Sequence, residues 1–383
     1  MLKRKGFRFE LMPGKAQARD LARFCGCARY VYNRTLSIEK TLYRDDKTHR
    51  FSYVACANRL PAWKDKHPWL KACPSQVLQQ TLKDLDRGYQ NFFAGLTDFP
   101  THKKKFRHDA IRFPQGFEID EMHARIRFPK LGWIRYRQSR FILGKAKNVT
   151  VTRTCGKWFA SVQTEYELQA PCMKDSEVGI DMGVVNLVTT SEGKVYPCID
   201  ALQRHEKRLK FLQRSLARKR KHSKNFGKCA KHLAKASNRV ANVRKDALHK
   251  VSHDIAKNHG LVYMEDLNVK GMSKSARGTV ENPGRNVKGK AGLNRAILNQ
   301  GWGMFRTMLA YKLEEAGGLV VLVDPRNTSR TCPACGFVDK GNRPTQAKFK
   351  CIRCGFESNA DLVGATNVLR AGRARLACEM SAR

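Results

Sequence analysis

The sequence predicts a chain of several domains, in which an α+β part precedes an α/β part. Residues 1–13 and 100–170 contain short runs in which apolar and polar side chains alternate, as in β-strands. In the segment between these two regions, apolar side chains recur every three or four positions, as in helices. From Glu177 onward, short apolar strands alternate with long helical stretches. We therefore expect an antiparallel β-barrel or sandwich, with helices inserted into it, ahead of a mixed α/β domain.

The first part begins with a strand and continues into helices. Residues 6–11 alternate, and the strand is stopped by Pro13 and Gly14. Residues 16–45 and 74–93 have helical spacing and predict a small all-α lobe. Short alternating runs between residues 111 and 162, divided by turn sequences, predict the strands that complete the barrel or sandwich.

The second part begins with a strand, a glycine turn and another strand over residues 178–190. Residues 201–260 indicate two long helices that carry 18 Lys and Arg residues against three acidic residues. Residues 271–294 are rich in Gly, Ser, Asn and Lys and predict a mobile basic loop. A helix at 296–316 and a strand at 319–323 are predicted to follow.

The charge of the chain indicates a polyanionic partner. Its 383 residues include 74 Lys or Arg and 33 Asp or Glu, a formal net charge of +41. Self-repulsion of this size destabilises a compact fold unless a partner neutralises it, and nucleic acid is the commonest such partner. A membrane surface fits poorly, because no run approaches 18 apolar residues. The N-terminus also lacks the apolar segment of a signal peptide, so we expect a cytoplasmic location.

Within the two long helices, four consecutive basic residues are candidates for binding the phosphate backbone: Arg218, Lys219, Arg220 and Lys221. The alternative is that this run is only a solvated face. Because almost all the charge in this region has one sign, we favour the phosphate backbone.

Two pairs of cysteines predict a zinc site. Cys332 and Cys335 form one C-x2-C pair, Cys351 and Cys354 form the other, and 15 residues lie between them. Each pair is followed by a glycine, which relieves the backbone of a tight turn. Four thiolates in this pattern hold one structural Zn²⁺ and leave no open position for chemistry. The other nine of the 13 cysteines are scattered, as buried or inert thiols are.

Three carboxylates form the candidate catalytic site. Asp181 and Glu265 each end an apolar strand, and Asp361 opens a helix. If they meet at one edge of a sheet, their oxygens suit two Mg²⁺ or Mn²⁺ ions, which roughly 3.5–4 Å apart would activate water and stabilise the leaving oxygen of a phosphodiester. The alternative is that Asp361 only begins a helix and Asp181 only occupies a turn.

The order of these motifs resembles the TnpB family of transposon-encoded, RNA-guided DNA endonucleases, which is related to the type V CRISPR effectors. The match to its split RuvC nuclease domain comprises GIDMGVVN at 179–186, MEDLNV at 264–269, the two cysteine pairs, and NAD at 359–361. Outside that domain the resemblance rests on FRFELMP at 7–13, ARYVYN at 28–33 and PKLGW at 129–133. It therefore extends over nearly the whole chain.

The resemblance implies a domain order. It assigns a wedge β-barrel domain to residues 1–13 and 110–172, a helical recognition lobe to 14–109, an RNase H-like RuvC nuclease domain to 173–329 and 357–383, and a zinc-ribbon insertion that binds target nucleic acid to 330–356. It also implies that the first acid of the adjacent pair Glu265 and Asp266 is the metal ligand. The two side chains point to opposite faces of a strand.

The resemblance also implies partners: a guide RNA, with one chain per RNA, and double-stranded target DNA. In this scheme base pairing reads the target, and the protein reads a short flanking motif. Tyr53 and Gln79 are candidate readers of that motif, and Arg330 is a candidate to steady the scissile phosphate. Two alternatives stay open: a zinc-ribbon RNA-binding protein without catalysis, and a transposase or resolvase that works without RNA.

Overall fold

The computed structural model describes residues 2–105, 107, 109–168 and 174–381. The chain divides into two compact units, Met1–Gln169 and Ala170–Arg383. The domain boundary predicted between residues 172 and 173 lies outside the described residues. Within the described part of the chain, no helix is both long and apolar enough to cross a membrane.

The first unit contains a seven-stranded antiparallel sheet in the order β2-β6-β7-β1-β5-β4-β3. Its strands are β1 (Leu2–Met12), β2 (Ala110–Phe113), β3 (Glu118–Asp120), β4 (Arg125–Phe128), β5 (Gly132–Tyr136), β6 (Lys145–Thr154) and β7 (Lys157–Glu167). Alternate side chains are buried, as the period of two predicts; β1 buries Phe7, Phe9 and Leu11. The predicted closed barrel is not confirmed, because among the described residues no strand ladder joins β2 to β3.

Helices lie between β1 and β2 in the chain, as predicted. They are α1 (Lys15–Asp45), α2 (Tyr53–Asn58), α3 (Leu60–Lys66) and α4 (Ser75–Phe93), with a 3₁₀ turn at Pro68–Ala72. The predicted long helices correspond to α1 and α4. The Pro-rich stretch between them forms two short helices and the turn, because Pro61 and Pro68 each occupy a first-turn position, where proline is tolerated.

The second unit is built on a mixed five-stranded sheet in the order β10-β9-β8-β11-β12. Its strands are β8 (Glu177–Asp181), β9 (Asn186–Thr190), β10 (Val195–Pro197), β11 (Leu261–Glu265) and β12 (Leu319–Val323). β8, β11 and β12 are parallel, and β9 is antiparallel to both β8 and β10. The carboxyl ends of β8 and β11 therefore lie side by side.

Six helices of this unit are described: α5 (Ala201–Ala217), α6 (Lys224–Asn258), α7 (Val269–Met272), α8 (Val287–Gln300), α9 (Trp302–Glu315) and α10 (Ala360–Ser381). The loop predicted over 271–294 is wrong at its C-terminal end, where α8 begins at Val287. The helix predicted over 296–316 is in fact two helices. They divide at Gly301, whose φ of 72° is a conformation that side chains disfavour.

The last helix, α10, packs closely on β8 and β11. An added Cβ on Gly179 would lie 2.2 Å from the carbonyl oxygen of Ala365, and one on Gly372 would lie 1.9 Å from the ring of Tyr263. These two glycines therefore permit the close approach of helix and sheet. A two-stranded hairpin, β13 (Lys348–Lys350) and β14 (Glu357–Asn359), leads directly into α10.

Candidate active site and metal centre

The three predicted carboxylates come together at the carboxyl edge of the second sheet. Ile180 pairs with Met264, so the strands that end at Asp181 and Glu265 are direct neighbours. Burial, the largest cause, together with the negative charges of Glu265 and Asp361 raises the pKa of Asp181 to about 7, while the positive charge of Arg343 opposes the shift. The charges of Glu265 and Asp361 thus act on Asp181, as expected of carboxylates that lie near one another.

Glu265 points into the protein and Asp266 points out. The carboxylate of Glu265 is buried, and it accepts a 2.5 Å hydrogen bond from the hydroxyl of Thr328. Burial raises the pKa of Glu265, and the hydrogen bond from Thr328 partly offsets that shift. Asp266 is exposed and pairs with Arg306 at 2.7 Å. Of this adjacent pair, Glu265, the acid that the family resemblance implies as the ligand, is therefore the one that lies buried beside Thr328.

Asp361 is held by groups from three parts of the chain. The side chain of Asn359 accepts hydrogen bonds from the backbone amides of Asp361 and Leu362, at 2.9 and 3.4 Å, as the N-cap residue of a helix does. The amide of Asn186 donates to Asp361 at 3.2 Å, and the guanidinium of Arg343 lies 3.9 Å from its other oxygen. The carboxylate is thus oriented from both sides.

The four predicted cysteines form a compact cluster. Across the described ranges they are the one group of potential metal ligands whose donor atoms all lie within 4.8 Å of one another, so the oxygens of the three carboxylates are more widely spaced. The Sγ atoms of Cys332 and Cys354 are 3.6 Å apart, as are those of Cys335 and Cys351. Four sulfurs at about 2.3 Å from one Zn²⁺ lie about 3.8 Å apart, so the cluster fits zinc.

Both cysteine pairs have the same backbone turn. The amide of Gly336 donates to the carbonyl of Cys332, and the amide of Gly355 donates to the carbonyl of Cys351. Both glycines have positive φ, as the spacing predicts. Burial alone would raise the pKa of Cys351, but donors that include the backbone amides of Cys354 and Arg353 outweigh it and lower the pKa to about 6. This environment favours the thiolate that a metal requires.

A buried asparagine joins the two turns. The amide of Asn342 donates to the carbonyls of Arg330 and Phe337 at 2.9 and 3.0 Å, and its oxygen accepts from the amide of Ile352 at 3.0 Å. The next residue, Arg343, is the one that approaches Asp361. The segment 330–356, which contains both cysteine pairs and is called the cysteine module below, is therefore tied to the carboxylate site through the adjacent residues Asn342 and Arg343.

A second asparagine ties α10 to the loop before the first cysteine. The amide of Asn367 donates to the carbonyls of Thr328 and Thr331, both at 2.7 Å. Thr328 is also the residue that holds Glu265. Thr328, Arg343, Asn342 and Asn367 were not predicted, because their roles depend on contacts that no local pattern marks.

The residues predicted to contact nucleic acid differ in how exposed they are. Tyr53 is half-buried and lines an open cavity of about 490 Å³ with Gln80, Lys83 and Arg87, whereas Gln79 is exposed on α4 and does not line it. Arg330 is exposed. The basic cluster of Arg218, Lys219, Arg220 and Lys221 lies in the connection between α5 and α6, where three of its members are exposed and Lys219 is half-buried. The proposed roles of these residues remain predictions.

Three family models match parts of the chain. Residues 161–276 match a family described as "Probable transposase", and residues 302–368 match "Cas12f1-like, TNB domain". Residues 1–48 match a family described as "Helix-turn-helix domain". In this chain the described residues of that segment form β1 and the single long helix α1.

The chain is also similar to proteins over its whole length. It is 46% identical to the "Putative RNA-guided DNA endonuclease InsQ" of Escherichia coli (strain K12), over 99% of this chain and 94% of that protein. A "Putative RNA-guided DNA endonuclease" of Streptomyces pristinaespiralis is 30% identical, over 98% of this chain and 91% of that protein. The cryo-EM structure of a Cas12f1-sgRNA-target DNA complex has a similar fold, with a TM-score of 0.59 at 15% identity, over 93% of this chain and 83% of that one. The chain belongs to the TnpB family.

Proposed function

We propose that this chain is an RNA-guided DNA endonuclease. In the proposal, a transposon-derived guide RNA pairs with double-stranded target DNA beside a short flanking motif, and Asp181, Glu265 and Asp361 hold two Mg²⁺ or Mn²⁺ ions at the cutting site. The observation that carries the proposal is the meeting of these three carboxylates at one sheet edge, in a family whose relatives are named as RNA-guided DNA endonucleases.

The residues around the carboxylates fit this role. Two ions roughly 3.5–4 Å apart would activate water and stabilise the leaving oxygen, and carboxylates that share two ions need not crowd around one point. Thr328 fixes the buried Glu265, and Asn186 and Arg343 fix Asp361. Asp181 releases its proton near neutral pH and then offers an anionic oxygen. Arg343 is also close enough to the site to contact a phosphate.

The cysteine cluster has a structural role in the proposal. A Zn²⁺ on Cys332, Cys335, Cys351 and Cys354 would lock both turns and, through the hairpin β13–β14, the start of α10. The backbone amide of Ala360 donates to the carbonyl of Ala347 beside this hairpin. The position of Asp361 then depends on the cysteine module.

The remaining parts of the chain are assigned by the same proposal. Residues 1–13 and 110–172 would form a wedge β-barrel domain, and residues 14–109 a recognition lobe with Tyr53 and Gln79 as motif readers. Residues 173–329 and 357–383 would form the RNase H-like RuvC domain, and 330–356 the zinc ribbon, with Arg330 near the scissile phosphate. Backbone contacts from Arg218, Lys219, Arg220 and Lys221 suit RNA recognised by shape and charge.

The test is a cleavage assay with copurified RNA bound, run beside RNA- and DNA-binding assays on the same preparations. Asp181→Ala, Glu265→Ala and Asp361→Ala should each abolish cutting, and the triple variant should be little worse than any single one, because the three act as a unit. Binding should persist, since it depends on distant Lys and Arg residues. Cutting should require Mg²⁺ or Mn²⁺, and Zn²⁺ alone should not replace them.

Asp266→Asn is the matched control, because Asp266 is adjacent but exposed and paired with Arg306. It should retain cutting. If Asp266→Asn is inactive and Glu265→Ala is active, the second ligand is misassigned. If all three alanine variants cut at the parent rate, a zinc-ribbon RNA-binding protein without catalysis is the better description. Metal-dependent cutting without RNA would instead support a transposase or resolvase, which the matched family description "Probable transposase" favours.

A further inference from the structure

One face of α5 combines cationic side chains with an exposed aromatic ring. An open groove of about 680 Å³ is lined by Lys207, Lys210, Phe211, Arg214, Ser215, Arg218 and Lys219. These positions follow the helical spacing of three and four residues, so most of them share one side of α5. Leu209, on the opposite side of α5, is buried in the core. Cys229 of α6 contacts both the backbone carbonyl of Leu212 and the hydroxyl of the groove residue Ser215.

The charge of this groove has one sign. None of the seven lining residues is acidic. Lys210 forms a 2.9 Å ion pair with Glu206. Within the described part of the chain, no carboxylate pairs with Lys207, Arg214, Arg218 or Lys219. Four cations therefore remain to attract an anionic ligand.

The ring of Phe211 lies in the middle of these cations and is 69% exposed. Burying such a ring against a neighbouring element would stabilise the fold, but no element of the described structure covers the ring of Phe211. Single exposed apolar residues are common, so exposure alone carries no conclusion. Here the apolar ring is surrounded by phosphate-binding groups, and nucleotides combine a flat apolar base with a phosphate.

We propose that this groove binds an unpaired nucleotide of RNA, with its base stacked on Phe211 and its flanking phosphates held by Lys207, Arg214 and Arg218. The ligand is single-stranded, because in a duplex the bases already stack on one another and a side chain meets only their edges and the backbone. The proposal rests on the proposed function, since it assigns one contact of the RNA.

The experiment measures the affinity of the full chain for two probes, a mixed-sequence 12-nucleotide single-stranded RNA and a 12-base-pair RNA duplex, over a range of salt concentrations. Phe211→Ala should weaken binding of the single strand by roughly 5- to 100-fold, the range expected for the loss of one stacked base. It should change duplex binding less than about twofold, and the slope of affinity against salt should stay constant because no charge is lost. Phe211→Trp should retain binding.

Two variants make the result specific. Phe141→Ala removes a ring that is 77% exposed in the other unit and should affect neither probe. Arg214→Gln should weaken both probes and flatten the salt slope by about 0.7 for the single strand. The inference is wrong if Phe211→Ala binds the single strand as well as the parent, or if it loses affinity equally for both probes. It is also wrong if poly-glutamate competes as strongly as RNA, because that would indicate an acidic protein partner.

The failure of this inference differs from the failure of the proposed function. A chain that cuts DNA under RNA guidance while Phe211→Ala binds single strands as well as the parent contradicts the inference alone. A chain that binds single strands through Phe211 but cuts no DNA contradicts the proposed function and supports the inference that the groove binds an unpaired nucleotide.

Discussion

Asp181 is a carboxylate whose ionisation opposes folding. Burial, together with the charges of Glu265 and Asp361, raises its pKa to about 7 from an ordinary value of 3.8. Between these two pH values the folded chain holds a proton that the unfolded chain has lost. The contribution of Asp181 to stability therefore falls as pH rises from about 4 to about 7, and the whole penalty is present above that range.

Asp181→Asn should consequently stabilise the chelator-treated protein. At pH 8 we expect the free energy of unfolding to rise by a few kcal/mol, with ~4 kcal/mol as the upper limit for a difference of about three pH units. At pH 5 the gain should be much smaller, because most of the parent is protonated at Asp181 there. Urea unfolding at the two pH values measures this difference. Asp266→Asn, which removes an exposed ion pair with Arg306, is the control and should not stabilise the protein.

The residues of the site differ in how far the sequence predicts them. Strand geometry predicts that Glu265 and Asp266 point to opposite sides, because alternation is a local property of the backbone. It does not predict which of the two faces the site, because β11 is buried on both faces from Val262 to Glu265, and that choice is implied only by the family resemblance. The partner of Glu265, Thr328, lies 63 residues away in a segment without a regular pattern. Arg343 likewise approaches Asp361 only because the cysteine module folds back, and among many basic residues nothing marks it. The prediction that Arg330 contacts the scissile phosphate rests only on its position beside the first cysteine pair, and sequence position indicates such a contact less well than a distance in the folded chain does.

At the scale of elements, the seating of α10 against β8 and β11 decides whether Asp361 reaches the other two carboxylates. Gly179 and Gly372 allow this contact, and Gly364 has the same property beside the site. A Cβ there would lie 3.1 Å from the carboxylate of Asp181. Helical glycines ordinarily reduce helix stability, so their presence in α10 reflects packing.

Gly372→Ala should displace α10 and lower DNA cutting at least tenfold, because the added methyl group would overlap the ring of Tyr263. Unfolding should also become easier by about 1–3 kcal/mol. The matched control is Gly292→Ala in the middle of α8, where nothing lies within 4 Å of the added Cβ. That variant should be stabilised by up to ~1 kcal/mol and should cut normally. Equal behaviour of the two variants would contradict the packing argument.

The hairpin β13–β14 should transmit the state of the cysteine cluster to the carboxylates. Cys351→Ser should lower the zinc content below one ion per chain and reduce DNA cutting at least tenfold, while RNA affinity stays within about twofold of the parent. Elemental analysis and the cleavage assay measure the two effects. Cys378→Ser changes an exposed thiol outside the cluster and should alter neither. If the zinc-free Cys351→Ser variant cut DNA at the parent rate, the cysteine module would not be what positions Asp361.

Several elements were predicted from local patterns, and others were not. The apolar spacing of α1 and α4 and the alternation of β6 and β7 are strong enough to identify these elements. The composition of residues 271–294, which is rich in Gly, Ser and Asn, predicts a loop, although the Lys, Ala and Leu residues in the N-terminal half of α8 are good helix formers. The buried Ile297 and Gln300, at the C-terminal end of α8, give this helix a place in the fold that local composition does not reveal.

At the scale of the whole molecule, the net charge of +41 should dominate the binding of RNA. With roughly six to ten phosphate contacts, affinity should fall by roughly 10³–10⁵ between 50 and 200 mM salt. Replacing Arg218, Lys219, Arg220 and Lys221 together by Gln should reduce the slope of log affinity against log salt by up to about 3 for a single-stranded contact. A filter-binding titration at several salt concentrations measures the slope. An unchanged slope would mean that the cluster is a solvated face.

The chain order of the carboxylates also has a consequence for protein synthesis. A ribosome makes β8 with Asp181 first, then the basic helices α5 and α6, then β11 with Glu265, and α10 with Asp361 only after the cysteine module. A nascent chain that has reached residue 359 already carries its basic helices, but the surface of β8 around Gly179 still lacks the helix that covers it. The capacity to hold a polyanion thus precedes a complete carboxylate site, so under the proposed function a growing chain would meet RNA before it could cut DNA.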